Sequence, residues 1–170
     1  MKRVMVIGCC GAGKSTFSKA LKKKFDLPLI HLDQHYWKPN WTETDPKEWS
    51  RIVTTLADQN EWIIDGNYGG TMDIRIARAD TIIYLDISTP KALFRIIKRS
   101  LTHLGRTRPD MPENCPERIS WQFIKYVANF NRTRKFKILQ KLKAVPRDKK
   151  VFILNSKSSK IDFLKSLGSH

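Results

Sequence analysis

The chain has 170 residues, of which 41% are apolar and 28% charged, a length and mixture that predict one compact domain, 1–170, and argue against disorder. No apolar run reaches the roughly 18–20 residues that span a bilayer. The chain has three cysteines, two of them adjacent, a pattern that favours neither a disulfide framework nor a tetrahedral metal site. We therefore expect a cytoplasmic protein. The net charge is +16, and residues 91–170 carry 20 basic and 5 acidic side chains, which predicts an anionic partner for this half.

Short apolar segments alternate with helical patterns along the chain. The predicted strands are residues 3–8, 28–32, 62–65, 81–86 and 150–154. Each is rich in aliphatic or β-branched residues, as expected of strands that are covered on both faces. The alternation is typical of βαβ units and therefore predicts an α/β protein with a parallel sheet.

Helices are predicted in the gaps between these strands. One follows Gly13, and a second begins at Asp45 and Pro46, where a capping aspartate and a first-turn proline are typical of a helix start. Two longer helices are predicted over about 90–104 and about 117–143. The core-facing stripe expected on the first of these two comprises Leu93, Ile96, Ile97, Leu101 and Leu104.

Residues 8–15 match the phosphate-binding loop pattern G-x-x-x-x-G-K-[ST] between a predicted strand and a predicted helix. Glycines let the backbone curl so that successive N–H groups point at phosphate oxygens. Lys14 would supply positive charge to the β- and γ-phosphates, and Ser15 would ligate Mg²⁺. The predicted nucleotide-binding loop comprises Gly8, Cys9, Cys10, Gly11, Ala12, Gly13, Lys14, Ser15 and Thr16. For the two cysteines, small side chains that fit a tight loop are favoured over a redox role.

Later segments resemble adenylate kinase and related small-molecule kinases. Residues 62–66 resemble the family's strand ending in Asp-Gly, 82–87 its fourth strand, and 94–99 the helix that bears an R-x-x-x-R pair. His31-Leu32-Asp33, the pair Trp37 and Trp41, and Asp65-Gly66-Asn67-Tyr68 are similar to a subgroup labelled DNA topology modulation proteins. The resemblance implies a P-loop NTPase three-layer fold, with a five-stranded parallel sheet of order 2-3-1-4-5, helices on both faces and a lid.

The resemblance also implies a kinase that binds ATP and Mg²⁺. In that family the first arginine of the pair packs near the adenine, the second reaches the phosphates, and lid arginines close over the phosphoryl group. By motif, these roles fall on Arg95 and Arg99, and on Arg106 and Arg108 in a lid over about 105–116. A solvated basic helix face is the alternative for the arginine pair. The predicted catalytic residues are Lys14, Asp33 and Arg99, and the predicted metal ligands are Ser15 and, through water, Asp65.

The segment 33–60 is predicted to bind the phosphoryl acceptor, and four of the five tryptophans lie between Asp33 and Asp65. Two interpretations are equally supported: aromatic rings that stack on a ring-bearing acceptor, and a satellite core over the sheet. Asp33 ends a predicted strand, where it would orient or deprotonate an acceptor hydroxyl. The predicted acceptor-binding residues are Asp33, Tyr36, Trp37, Asp65, Gly66, Asn67 and Tyr68.

Two departures from the family pattern leave the acceptor open among nucleosides, nucleotides and similar molecules. The family's nucleotide kinases have an arginine two residues beyond Asp-Gly, where this chain has Tyr68, and their T-G-D-x-[LM]-R segment is missing. Arg51 and Arg75 are the candidate replacements, although they match no motif.

A second interpretation is a basic regulatory P-loop protein that binds nucleic acid and affects DNA topology, without kinase activity. The basic run over 132–143 favours it, because such patches bind phosphate backbones without reading sequence. The chain lacks the pattern of a helix-turn-helix or zinc finger. The expected partners are therefore ATP and a small acceptor, with non-specific nucleic acid as a further partner of the basic half and no membrane.

Overall fold

The computed structural model describes residues 1–118 and 120–168. In chain order, its elements are β1 (Arg3–Gly8), α1 (Lys14–Phe25), β2 (Leu29–His31), α2 (Leu32–Tyr36), β3 (Trp37–Lys38), β4 (Thr42–Glu43), α3 (Pro46–Ala57), β5 (Trp62–Asp65), α4 (Met72–Arg78), β6 (Thr81–Leu85), α5 (Thr89–Thr102), α6 (Trp121–Phe130), α7 (Phe136–Lys143), β7 (Lys150–Leu154) and α8 (Lys157–Ser166). Among these residues, no helix is both long and apolar enough to cross a membrane.

Five strands form one parallel sheet in the order β2-β5-β1-β6-β7. Counted along the chain within this sheet, the order is 2-3-1-4-5, so the predicted α/β fold and topology are confirmed. In the central strand β1, the consecutive residues Val4, Met5, Val6 and Ile7 are all fully buried. Since successive side chains in a strand point to opposite faces, helices must cover both faces of the sheet.

The stripe predicted for α5 is wrong in part. Ile97, Leu101 and Leu104 are 42%, 61% and 58% exposed, whereas Ala92 and Ser100 are buried together with the predicted Ile96. The helix passes so close to the loop after β1 that a Cβ on Gly11 would lie 2.8 Å from the Ala92 carbonyl oxygen. Small residues therefore face inward, and the neighbouring apolar stripe faces solvent.

The fourth predicted helix begins later than expected, at Trp121, because Ser120 caps it by accepting a hydrogen bond from the backbone N–H of Phe123. A π-helical turn, Asn131–Lys135, joins α6 to α7. Sequence patterns did not reveal the short elements α2, β3 and β4, the last two of which form an antiparallel hairpin. They lie in the predicted acceptor segment and shape the site described next.

Candidate functional site

A cavity of about 1250 Å³ lies at the carboxyl ends of the parallel strands. The loop after β1 forms its floor, α2 and the hairpin form one side, and α5, α6 and the predicted lid form the other. In open α/β sheets this edge is where ligands bind. The fold thus brings the phosphate-loop motif and the aromatic segment into one space.

The loop after β1 is curled as the motif requires. Gly8, Gly11 and Gly13 all have positive φ angles, and the Ala12 N–H donates to the Cys9 carbonyl at 3.1 Å. A Cβ on Gly8 would lie 2.3 Å from the Leu85 carbonyl oxygen, so only glycine fits there. Burial raises the pKa of the Cys9 thiol to about 12 and also raises the pKa of Cys10, which disfavours a reactive thiolate.

Lys14 and Ser15 open α1 and face the cavity. The Lys14 ammonium donates to the carbonyls of Gly8 and Cys9 at 3.0 and 3.3 Å. The Ser15 hydroxyl donates to the Asp110 carboxylate at 3.1 Å. A lid carboxylate therefore occupies the position where the motif places phosphate and metal.

Two of the four predicted arginines are tied together by an acid that sequence reasoning missed. Glu117 is 6% exposed, and its carboxylate accepts from Arg99 at 3.1 Å and from Ser100 at 2.9 Å. Arg108 lies 2.7 Å from the same carboxylate and 2.9 Å from Asp110. An acidic residue at the end of a basic, proline-rich segment is the sequence signal that could have indicated these contacts of Glu117 with Arg99 and Arg108.

The other two arginines have different surroundings. Arg95 is exposed, lines the cavity and donates to the Gly11 carbonyl at 3.2 Å. Arg106 is exposed, and among the described residues it is not one of those that line the cavity. The structure therefore brings Arg95, Arg99 and Arg108 to the site and does not bring Arg106.

The predicted lid reaches across the cavity to α2 and the hairpin. Gln34 donates to the Pro109 carbonyl at 2.8 Å, and the Trp41 indole donates to the Pro116 carbonyl at 3.1 Å. With the contact between Ser15 and Asp110, these bonds close the lid over both the phosphate loop and the acceptor segment.

Asp33 lies on α2, directly after β2, and lines the cavity. Its carboxylate accepts a 2.6 Å hydrogen bond from the Tyr68 hydroxyl. Burial raises the pKa of Asp33, against the lowering effect of Tyr68 and Lys14. The result is a carboxylate that accepts a proton more readily than an exposed aspartate does.

Five aromatic side chains next to Asp33 pack edge to face or at a tilt, with ring centroids 4.7–5.3 Å apart. They are Tyr36, Trp37, Trp41, Trp49 and Tyr68, and all five line the cavity. Trp62 is instead fully buried in the sheet. The rings pack on one another, as the interpretation as a satellite core expects, and they also form a cavity wall, where stacking on an acceptor stays a prediction.

Asp65 and Asn67 connect the end of β5 to neighbouring elements. The Asp65 carboxylate lies 3.0 Å from the Nδ1 atom of His31, and both side chains are buried. Burial lowers the pKa of His31, but the hydrogen bond and charge of Asp65 outweigh it and raise that pKa overall. The Asn67 side-chain oxygen accepts from the Gly8 N–H at 2.9 Å, which fixes the loop after β5 to the phosphate loop.

Arg75 is fully buried and does not grip an acceptor. Its guanidinium donates to the carbonyls of Gly66, Asn67 and Tyr68 at 2.7, 2.6 and 2.9 Å. Burial lowers its pKa to about 9. Arg75 therefore holds the loop after β5 in place, and its suggested role as a replacement phosphate ligand is wrong.

Known proteins resemble this chain in sequence and in fold. No protein-family model matches the chain. The chain is 29% identical over 108 residues to the uncharacterized protein YqaC of Bacillus subtilis, covering 61% of this chain and 60% of that protein. It is 27% identical over 138 residues to a shikimate kinase of Azobacteroides pseudotrichonymphae, covering 71% of this chain and 78% of that enzyme.

Among solved structures, a shikimate kinase from Acinetobacter baumannii in complex with shikimate superposes with a TM-score of 0.63 at 13% identity. The match covers 98% of this chain and 90% of that one. At this identity the likeness concerns the fold, which is that of P-loop kinases.

Proposed function

We propose that the protein is an ATP-dependent phosphotransferase that moves the γ-phosphoryl group of ATP to a hydroxyl of a small molecule, with Mg²⁺. One observation carries the proposal: a single cavity joins the phosphate loop with Lys14 and Ser15 to the carboxylate of Asp33, beneath a lid that presents arginine. The similarity to a shikimate kinase supports the same class of reaction.

In the proposed reaction, the acceptor oxygen attacks the γ-phosphorus and the bond from that phosphorus to the bridging oxygen breaks. ADP leaves with the bond electrons, and the hydroxyl proton passes to Asp33. The raised pKa of Asp33 suits a general base. Lys14, Arg99 and Arg108 stabilise the negative charge of the transferring group, which is the main task in phosphoryl transfer.

The metal would be held by oxygen atoms, as Mg²⁺ prefers. The Ser15 hydroxyl is one, and Asp65 would contribute through water, with His31 fixing the orientation of its carboxylate. These donors fit the ion, since each is a hard oxygen at the edge of the cavity. When bound, Mg²⁺ neutralises charge on the phosphates.

Nucleotide binding would also change the lid contacts. Asp110 binds the Ser15 hydroxyl and one side of Arg108, positions that a polyphosphate and its metal would take. Arg95 lies over the edge of the phosphate loop at Gly11, a place suited to contact the adenine. Glu117 would hold Arg99 and Arg108 in position throughout.

Replacing Lys14 tests the proposal. We expect Lys14→Ala to lower phosphoryl transfer from labelled ATP at least about a hundredfold, because a charge that acts on the transferring group is lost. The matched control is Lys23→Ala on the same helix, exposed and away from the cavity. Circular dichroism and thermal unfolding should show both variants folded. Transfer by Lys14→Ala at the rate of the control would contradict the proposal.

The nucleic-acid alternative rests on the positive charge of residues 91–170. Part of this charge acts inside the fold: Lys135 pairs with Asp86 at 2.7 Å, and Lys160 donates to the Ala12 carbonyl at 2.7 Å. Lys149 donates to two carbonyls at the end of α4. The comparisons lend this alternative no support, and we retain it only as a property of the exposed basic surface.

A further inference from the structure

The cavity has two chemically different walls. The lysines and arginines that line it all lie in α1 and in residues 95–141, together with the acids Asp110 and Glu117. The lining residues within 33–72, a range that the structure describes throughout, include the acids Asp33, Glu43 and Asp65 and no lysine or arginine. We call this second group, with the five aromatic rings listed above, the acceptor wall.

The acceptor wall disfavours an anionic molecule. The fully buried Arg75 beside it donates to three backbone carbonyls, and Arg51 is exposed outside the cavity lining. Arg118 approaches from the opposite wall, where its guanidinium lies 5.5 Å from the centroid of the Trp41 ring. A phosphate or carboxylate on this wall would therefore face three carboxylates and the aromatic rings, and it would meet a guanidinium at Trp41, where Arg118 lies.

The same wall suits a flat ring with hydroxyl groups. Trp37 and Trp41 are half-buried and meet edge to face, with their ring centroids 5.3 Å apart, and Arg118 lies over the Trp41 ring, so Trp37 is the ring that we expect to stack on the ligand. Asp33 lies beside these rings as a hydrogen-bond acceptor for a hydroxyl. The cavity, at about 1250 Å³, exceeds the roughly 300–1,000 Å³ of a pocket for one small ligand, which leaves room for ATP and a second ring-bearing molecule.

We infer that the acceptor is an alcohol that carries a flat heterocycle and no phosphate or carboxylate, the chemistry of a nucleoside. The inference that this molecule is phosphorylated rests on the proposed function. The inference that it binds to the acceptor wall does not. In the transfer its hydroxyl oxygen bonds to the γ-phosphorus, the bond to the ADP oxygen breaks, and the proton passes to Asp33.

Tryptophan fluorescence tests the ligand without ATP, because Trp37, Trp41 and Trp49 line the cavity. The probes are adenosine and cytidine, their 5′-monophosphates and shikimate. We expect a nucleoside to quench the fluorescence at least about tenfold more tightly than its monophosphate or shikimate. Equal or tighter binding of a monophosphate or of shikimate would overturn the inference.

Binding of ATP is measured in parallel. If ATP binds and no nucleoside does, the inference fails and the proposed function stands. If nucleosides bind and ATP does not, the inference about the wall stands and the proposed function fails.

Two matched pairs of variants test whether the nucleoside binds to the acceptor wall. Trp37→Ala should weaken nucleoside binding about tenfold by removing a stacking face, whereas Trp121→Ala, exposed and outside the cavity lining, should not. Glu43→Gln should narrow the preference for the nucleoside over its monophosphate about two- to fivefold. Glu48→Gln, whose carboxylate pairs with Lys38 outside the cavity, should leave it unchanged. Equal effects within each pair would contradict the acceptor wall.

Discussion

Asp33, the proposed general base, is a charged residue whose burial lowers the stability of the fold at neutral pH. It lies beside the aromatic rings and the Tyr68 hydroxyl, where burial opposes its charged form. The folded state binds this proton more tightly than the unfolded chain does. The contribution of Asp33 to stability is therefore greatest below the ordinary pKa of an aspartate, falls as the pH rises through the raised folded pKa, and remains lower at neutral pH.

Replacing Asp33 by asparagine should therefore raise stability while abolishing transfer. At pH 7 we expect Asp33→Asn to unfold about 2–5 °C higher than the parent, because the neutral amide avoids the cost of a buried charge and still accepts from Tyr68. At a pH below the ordinary aspartate value the difference should vanish. Calorimetric scans at both pH values check this, and a lower melting temperature at pH 7 would contradict it.

At the residue scale, sequence patterns located the phosphate loop and the acids after two strands, because each is placed by a strand end that hydrophobicity reveals. Glu117 and Asp110 were missed, since their importance arises from a lid that folds back over the site. The burial of Arg75 was equally hidden, because its partners are backbone carbonyls, which carry no sequence signature.

The lid is joined to α5 through the side chain of Glu117. Its arginine, Arg108, and the helix arginine, Arg99, come from different elements and meet at the carboxylate of Glu117. A buried carboxylate that holds two guanidinium groups fixes the direction in which both donate. In the proposed reaction Glu117 would therefore be a positioning residue, because it contacts the arginines rather than the substrate.

Neutralising Glu117 should lower the rate of phosphoryl transfer more than it weakens the binding of ATP. We expect Glu117→Gln to lower kcat about tenfold or more with a smaller change in KM for ATP, because the arginines act most strongly on the transition state. Glu113→Gln, an exposed lid residue, is the matched control. Steady-state kinetics measure both constants, and an unchanged kcat would show that the arginines need no such clamp.

Strand boundaries were predictable from short apolar runs, whereas the buried face of a helix with two apolar stripes was not. Three strands match the predicted residues, 3–8, 62–65 and 150–154, because each is built on a short run of aliphatic and aromatic residues. In α5, hydrophobicity predicted that the wider apolar stripe is buried. The close approach of the helix to Gly11 instead buries the side that carries the small residues Ala92 and Ser100. Spatial constraints of this kind leave no periodic signal.

At the scale of the whole molecule, the basic residues of the second half of the chain lie in two kinds of place, the cavity and the exposed surface. Arg95, Arg99 and Arg108 face the cavity and suit a polyphosphate. Other basic residues, including Lys143, Arg147 and Lys165, are exposed and away from the cavity. We expect these exposed residues to attract a dense polyanion, independently of the proposed reaction.

This exposed charge predicts weak, non-specific binding to DNA. About four phosphate contacts would lower the affinity about a hundredfold between 50 and 200 mM salt. We expect Lys143→Ala and Arg147→Ala each to reduce the slope of log affinity against log salt by about one, with phosphoryl transfer unchanged because neither residue lines the cavity. Fluorescence anisotropy with DNA of two unrelated sequences, with and without ATP, measures the slope. Binding that depends on sequence or ATP, or that resists salt, would contradict this view and favour the regulatory alternative.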